Sequence, residues 1–378
     1  MNQTVRVPLY AIRHGQIGGT ERAIYNLLHG LAATGTRVVV PYGRDADLSP
    51  HFLAWARDTD QVRLQRTGGL PGPKAIRFAQ ELLFQNARKD RDWAIFPNYF
   101  CPPARLRRKS SVILHDIQYK QYPQYHSAKR RAWLDFYLPK MFAMADSIIV
   151  LSNSELAMVR KYFGDAAAAR CDMVHNAIEF TRFEDRDDAA SDTVRELVKH
   201  RYIFSVCHQF PHKNVGTLLK AFSQVAQRDR SIRLYMVGLA SVENLKLIQS
   251  ALPDVVRDRV NVMNSAADAD LGLLYANAQL FVMPSLYEGF GMPAVEALGM
   301  GVPTIVSNAY SLPEVTLGYA GLIDDPLDIE AWVNAIETAL AAGTRPTSEQ
   351  QAHIRATYHP VTIAGQFTSA LARRDPTA

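Results

Sequence analysis

The sequence predicts an α/β protein built from two doubly wound, Rossmann-like parallel-sheet domains. Short runs rich in β-branched and aromatic residues alternate with helical stretches from end to end, the pattern of strands joined by crossover helices. The alternation comes in two series, parted by the polar, acid-rich stretch EFTRFEDRDDAASDTVRELVKH. With 378 residues, the chain has the length for two domains of roughly 150–200 residues each.

In the first series the strand candidates are VRVPLYA, TRVVVP, WAIFPN, SSVILHD, DSIIVLS and MVHN. The second series reads YIFSV, IRLYMVG, VNVM, QLFVMPS, PTIVS and AGLI, with helical stretches such as NVGTLLKAFSQVAQ and DIEAWVNAIETALAA between them. The acid-rich stretch is the linker, with a hinge expected near Phe180 to Ser191, followed by the first helix of the second domain. The expected domains are residues 1–180 and 181–359. TRPTSEQQ breaks the order near the end, and VTIAGQFTSALARR returns to helical period.

Composition narrows the class. Hydrophobic residues make up 48% with no biased segment, so both domains are expected to be globular. Cys101, Cys171 and Cys207 are widely spaced and odd in number, which points to a reducing compartment, the cytoplasm, and away from a disulfide framework or a zinc site. The start MNQTVRVPLYAIRHG lacks an export h-region, and no apolar run reaches the ~18 residues of a membrane span. Residues 1–180 carry 25 Lys and Arg against 15 Asp and Glu, while the remainder carry 17 against 22.

That basic excess gathers in Arg105, Arg107, Arg108, Lys109, Lys120, Lys129, Arg130, Arg131 and Lys140, interleaved with Tyr99, Phe100, Tyr119, Tyr122, Tyr125 and Trp133. Two readings stay open: an ordinary solvated face, or a surface for peripheral contact with an anionic membrane or a lipid-linked acceptor. Nucleic acid is not expected as a partner, because no nucleic-acid-binding module accompanies the charge.

The segment richest in chemistry is PSLYEGFGMPAVEALGMG, residues 284–301. Gly289 and Gly291 can take positive φ and let a ligand approach the backbone around Phe290 and Met292. Pro293 suits the first position of a helix, whose N-terminus favours a diphosphate. Glu296, about one turn in, can accept two hydroxyl hydrogen bonds from a ribose diol, and Glu288 then faces the sugar. The plainer alternative is a strand-to-helix turn flanked by two solvated glutamates.

Other candidates follow strand ends, where ligands bind in open α/β sheets. Gly18 and Gly19 form a tight turn before the helix opened by Thr20 and Glu21, a helix start in its own right. His115 and Asp116 end SSVILHD, and Lys213 in VCHQFPHKN offers a cation for a diphosphate leaving group.

These features together, GGTER, HDIQY, VLSNSE, PHKN and the two-glutamate block, resemble the family 4 retaining glycosyltransferases of the GT-B fold. The resemblance implies two domains facing across a cleft, with the final helix, 360–378, returning to the first. It implies a nucleotide-sugar donor, a glycan or lipid-linked acceptor, retention of anomeric configuration and no metal or other cofactor. It also puts Gly18 and Gly19 against the donor diphosphate, His115 on the transferred sugar near its reacting carbon, and Gly238, Met263 and Asn264 near the base. The sequence departs from the family twice: His208 stands where many relatives carry an arginine, and Ala177 follows Asn176 where a glycine is usual. His208, His212 or a distant arginine then helps Lys213 with the diphosphate, or Lys213 acts with the helix N-terminus alone. GDP-mannose is the preferred donor, weighed against rhamnose, fucose, glucose and N-acetylglucosamine donors, in cell-envelope polysaccharide synthesis.

Three alternatives compete with a transferase of this kind. A metal-dependent transferase would use an Asp-x-Asp, and the chain has two, Asp45 to Asp47 in a polar loop and Asp268 to Asp270 at a helix start, where Asp is a natural cap. A sugar-nucleotide epimerase shares the architecture but needs no acceptor. A non-catalytic scaffold would tolerate loss of Lys213, Glu288 or Glu296, and all three are present.

Overall fold

A computed structural model describes residues 4–10, 12, 14, 19–43, 46–66, 92–98, 101, 109–184, 189–206, 210–238, 246, 248, 250 and 252–375. The chain divides into two compact units, residues 1–178 with 358–378, and residues 179–357. Each is an α/β unit around one parallel sheet.

The first unit holds a seven-stranded sheet in the order β3-β2-β1-β4-β5-β6-β7, every described pairing being parallel. Its strands are β1 (Thr4–Arg6), β2 (Arg37–Tyr42), β3 (Val62–Arg66), β4 (Trp93–Phe96), β5 (Ser110–Leu114), β6 (Ser147–Val150) and β7 (Cys171–Met173). The central strands β4, β5 and β6 are buried along their whole length, as expected of strands covered on both faces. β3 was not expected from the sequence. Its run VRLQR intersperses apolar Val62 and Leu64 with polar residues on the outer edge of the sheet, where polar side chains reach solvent. β7 lies earlier than the run MVHN suggested, since it spans Cys171–Met173 and shares only Met173 with that run.

The longer helices of this unit are α1 (Gly19–Ala33), α2 (Pro50–Asp58), α3 (Ala128–Met144) and α4 (Asn153–Phe163). Ser127 caps α3 by accepting from Arg130 N, and Ser152 caps α4 by accepting from Glu155 N.

The second unit repeats the winding with six strands, in the order β10-β9-β8-β11-β12-β13. These are β8 (Tyr202–Val206), β9 (Arg233–Val237), β10 (Val260–Met263), β11 (Leu280–Met283), β12 (Thr304–Ser307) and β13 (Gly321–Ile323), matching the six runs read from the sequence. Its longer helices are α5 (Val215–Arg228), α6 (Asp268–Asn277), α7 (Met292–Gly299), α8 (Ile329–Ala342) and α9 (Ser348–Thr357). α9 corrects the reading of TRPTSEQQ as a break throughout, because the helix resumes at Ser348. Leu218, Phe222 and Val225 of α5 pack with Trp332, Val333 and Ile336 of α8 against the sheet. The order of strands reverses between β8 and β11, so the loops leaving those two neighbours open the crevice where doubly wound sheets bind ligands.

The last helix, α10 (Pro360–Arg373), lies on α1 in the first unit. Gly30 of α1 makes the contact close: a Cβ there would meet the Pro360 carbonyl oxygen at 2.1 Å. Gly365, inside α10, has nothing within 4 Å of the same added atom. The two glycines therefore predict opposite outcomes. Gly365→Ala raises stability by about 0.5–1 kcal/mol through helix propensity. In Gly30→Ala that gain is outweighed by an overpacking cost of about 1–3 kcal/mol. Urea midpoints of the two variants check this, and equal shifts would contradict the packing described.

Candidate active site

The site is assembled by a turn that the residue type permits. After β8 the chain makes a 3₁₀ turn, Pro211–Lys213, and reaches Asn214 at φ 54° and ψ 36°. This left-handed conformation is open to asparagine at small cost, unlike most side chains. The Asn214 amide donates to the carbonyl oxygens of Pro284 at 3.1 Å and Pro326 at 2.7 Å, and its Oδ1 accepts from the Thr217 hydroxyl at 2.8 Å. Leu286 N donates to His212 O at 2.7 Å. The loop after β8 is thus stitched to the loop after β11, the two strands at the reversal of the sheet.

That stitching brings Lys213 and Glu288 together, with Nζ 2.6 Å from Oε1 and the side chains 16% and 10% exposed. Gly291, at φ 92°, turns the chain into α7, and a Cβ there would lie 2.6 Å from Leu312 Cδ2. Gly289 does not share that conformation, so one glycine of the pair makes the turn. Met292 is the first helical residue and Pro293 the second, one place later than the sequence suggested. The buried Ser311 hydroxyl donates to Glu288 O at 2.8 Å, with Phe290 O at 3.0 Å as a second acceptor.

Glu296 is buried rather than free. Its Oε1 accepts from Arg182 Nη2 at 2.6 Å and its Oε2 from the Tyr275 hydroxyl at 2.9 Å. Arg182 also reaches Asp268 Oδ1 at 2.8 Å, and its guanidinium lies 4.1 Å from the Phe183 ring centroid. Burial, then the Glu296 charge, pushes the Tyr275 phenol well above its ordinary range, so the hydroxyl stays a donor. A carboxylate has about four acceptor sites, so two remain for a ligand.

Gly238 leaves β9 at φ 101° and donates its N–H to Met263 O, 2.8 Å away at the end of β10, with Asn264 exposed beyond. Both therefore lie at the same end of the sheet as Lys213 and the glycine loop. Gly18 and His208 lie outside the described residues, as do the basic and aromatic residues at 99, 100, 105, 107 and 108. Gly19 opens α1, and the buried Glu21 receives His14 Nδ1 at 2.9 Å.

His115 follows β5, with Nε2 2.8 Å from Pro97 O, just beyond β4. A carbonyl only accepts, so Nε2 carries the proton and Nδ1 keeps a lone pair in the neutral ring. Burial pushes the imidazole pKa below its ordinary 6.5, against smaller opposing effects of Pro97 O and Asp116. Asp116 serves the backbone instead, accepting from Gln118 N at 3.1 Å. Asn176 follows β7, and Ala177 is buried with its carbonyl receiving Asn26 Nδ2 at 2.8 Å.

The Asp-x-Asp triplets are placed differently from expectation. Ala267, not an aspartate, occupies the cap position of α6. Asp268 and Asp270 lie in the first turn and are engaged by Arg182 and by Ser191 N at 2.7 Å. Asp45 is outside the described residues. Among the described residues, no group of three or more His, Cys, Asp or Glu is gathered where a metal ion could be held.

Four residues of the site were not picked out in the sequence: Asn214, Ser311, Arg182 and Tyr275. Asn214 had a signal, since an asparagine directly before a helix is a candidate for a left-handed turn. The other three act across sequence separations that carry no local mark.

Comparison with known proteins places this geometry. The model of the family Glycosyltransferase Family 4 matches residues 17–182, and that of Glycosyl transferases group 1 matches residues 188–356. O-antigen chain mannosyltransferase B of Escherichia coli is 30% identical over 62% of this chain, and the match spans 61% of that relative's length. Among solved structures, sucrose-phosphate synthase of Thermosynechococcus elongatus superposes with a TM-score of 0.74 at 20% identity, over 98% of this chain and 99% of that one. Anabaena HepE in complex with UDP and glucose gives 0.72 at 17%, over 98% and 100%.

Two outcomes follow from the buried groups. Arg182→Ala leaves the Glu296 carboxylate with only Tyr275 as its partner from this network, and is expected to cost about 3–5 kcal/mol in denaturant unfolding. A loss below about 1 kcal/mol would mean that the pair is solvated. For His115 the folded pKa is depressed, so the unfolded state binds more protons below pH 6.5 and stability falls as the pH drops below that value. Denaturation midpoints between pH 5 and 7.5 should show a slope, at most about 1.4 kcal/mol per pH unit, that His115→Gln reduces.

Proposed function

We propose that this chain, which belongs to the family 4 glycosyltransferases of the GT-B fold, moves a hexosyl group from a nucleoside diphosphate sugar to a hydroxyl of a glycan or lipid-linked acceptor. The reaction retains anomeric configuration and needs no metal. The observation that carries the reading is the Lys213–Glu288 pair, 2.6 Å apart beside the start of α7 at the reversal of the sheet. A cation, a carboxylate and a helix N-terminus brought together at the mouths of two neighbouring strands are the groups that a diphosphate and its sugar require.

The donor binds as follows. Lys213 leaves Glu288 for the diphosphate, which also takes the backbone at Phe290 to Pro293. Glu288, released, accepts hydroxyls of the sugar. Glu296 takes the ribose diol on its two remaining acceptor sites while Arg182 and Tyr275 hold it still, and the base lies toward Gly238 and Met263. His115 offers Nδ1 to a hydroxyl of the transferred sugar. No side chain of this set is placed as a covalent nucleophile. The acceptor oxygen therefore bonds to the anomeric carbon on the face from which the diphosphate departs. As the carbon–oxygen bond to the diphosphate breaks, the acceptor proton passes to a diphosphate oxygen, and Lys213 offsets the charge that develops there.

GDP-mannose is the favoured donor, supported by the likeness to an O-antigen chain mannosyltransferase, and the same likeness supports a role in cell-envelope polysaccharide synthesis. The cytoplasm is the favoured location. Cys171, buried and free, agrees with a reducing compartment.

A thermal-shift panel of GDP, UDP, dTDP and ADP and their sugars, with and without EDTA, tests the donor. A ligand at one hundred times its dissociation constant adds about 2.7 kcal/mol of stability, so one base should stand apart whether or not EDTA is present. Stabilisation that requires metal would overturn the metal-free reading, and silence from all four would overturn the transferase. With the donor known, Glu296→Gln is expected to weaken donor binding by roughly tenfold, and Lys213→Ala to lower turnover by roughly 10²–10³. Wild-type kinetics in both variants would remove the roles assigned here.

A further inference from the structure

Large hydrophobic side chains exposed to solvent are scattered singly over the described surface except on α3, where Trp133, Phe136 and Met144 fall within twelve residues. At about 100° per residue, these three share one side of the helix with Ala132, Pro139 and Ala143, all exposed. The opposite side, with Leu134, Leu138 and Met141, is buried in the first unit. α3 is therefore apolar on both sides, a pattern found where a helix is covered twice, by its own core and by something else.

The charges on the helix say what covers the outer side. Lys129 and Lys140 fall on that side and Arg130 at its margin, all three exposed. The Lys140 ammonium sits 3.3 Å from the centre of the Phe136 ring, and Trp133 stacks on Tyr137 with centroids 4.8 Å apart, so the ring is held outward. Asp135, the helix's one acid, is turned away into a bridge with Lys120 Nζ at 2.7 Å and a bond from the Tyr119 hydroxyl at 3.0 Å. Among the described residues of the helix, the outer side thus presents aromatic and aliphatic groups beside Lys129, Arg130 and Lys140, and the one acid near its margin, Asp135, is already paired with Lys120.

We propose that the outer side of α3 lies in the headgroup layer of an anionic lipid bilayer. Trp133 and Phe136 enter the boundary between headgroups and acyl chains, and Lys129, Arg130 and Lys140 hold lipid phosphates, their stems lying along the apolar strip. The helix lies in the membrane plane, since its 17 residues carry too many charges to cross. A second copy of the chain fits less well. The strip covers about 25 Å by 10 Å, roughly a third of the ~800 Å² per partner of a stable interface, and a symmetric pair would bring lysines toward lysines. The inference stands on α3 and is independent of which nucleotide sugar is bound.

The test is flotation of the full chain with vesicles of phosphatidylcholine alone or with about one third phosphatidylglycerol, alongside Phe136→Ser, Trp133→Ala and the double charge reversal Lys129→Glu with Lys140→Glu. Expected results are binding to anionic vesicles that high salt weakens, little binding to neutral ones, and a loss of roughly tenfold or more in each variant. Unchanged nucleotide thermal shifts in the variants would show that the fold and the donor site persist. Absence of binding to anionic vesicles overturns the proposal. So does binding that all variants retain, and so does concentration-dependent self-association, abolished by Phe136→Ser, in a chain that ignores vesicles.

Discussion

The site of the second unit depends on one backbone conformation, the left-handed turn at Asn214. The amide that follows Lys213 takes φ 54° and its side chain holds two carbonyls, of Pro284 and of Pro326. The first belongs to the loop that carries Glu288 and the second to the entry of α8, where Trp332 Nε1 donates to the same Pro326 oxygen at 3.1 Å. One small polar residue therefore ties the ends of three segments around the sheet reversal. Smaller residues face a conflict: glycine keeps the turn and loses both bonds, while alanine loses both and also strains φ. The proximity of Lys213 and Glu288, 75 residues apart, is a consequence of that tie.

A second constraint acts on Glu296. Burying a carboxylate beside an apolar helix is costly unless charge and hydrogen bonds surround it. Arg182 supplies the charge from the segment just after the start of the second unit, and it is itself held by Asp268 and by the face of Phe183. Tyr275 closes the set from α6 with a phenol that burial keeps protonated. Both oxygens of the carboxylate are thereby held in place by protein groups. Such pre-organisation lowers the ordering cost of binding.

How much of this the sequence displayed follows from the range of each interaction. All six strands of the second unit were legible as short apolar runs bounded by turn residues: β11 and β12 are buried along their whole length and read as unbroken runs such as LFVM, while the edge strands β10 and β13 are only partly buried. β3 was not, since VRLQR on a sheet edge looks like a solvated segment. Ser348–Thr357 was obscured by the Pro and Thr before it, although the residues beyond Ser348 are helix formers with one buried anchor, Ile354. Gly291 and the start of α7 could be read from local chemistry, to within one residue at Pro293. Arg182 could not. Its partner Glu296 is 114 residues away, and nothing in TRF distinguishes an arginine that enters a buried network from one that points to solvent.

The difference between the two glutamates explains why two carboxylates so near in sequence can have different tasks. Glu288 has a flexible partner, the Lys213 ammonium, a compact charge on a four-carbon stem that can swing to a new anion. Glu296 has rigid partners, a forked guanidinium already engaged on two carboxylates and a phenol on a buried ring. In the proposed reaction, a diphosphate carries more negative charge than a single carboxylate, so on its approach it competes for Lys213 and leaves Glu288 to a sugar hydroxyl that replaces the lost bond. No such exchange is open to Glu296, because withdrawing Arg182 would leave two carboxylates, Glu296 and Asp268, without their shared cation. In the function proposed above, the pair that opens faces the reacting groups, and the pair that stays closed carries the part of the ligand that does not react.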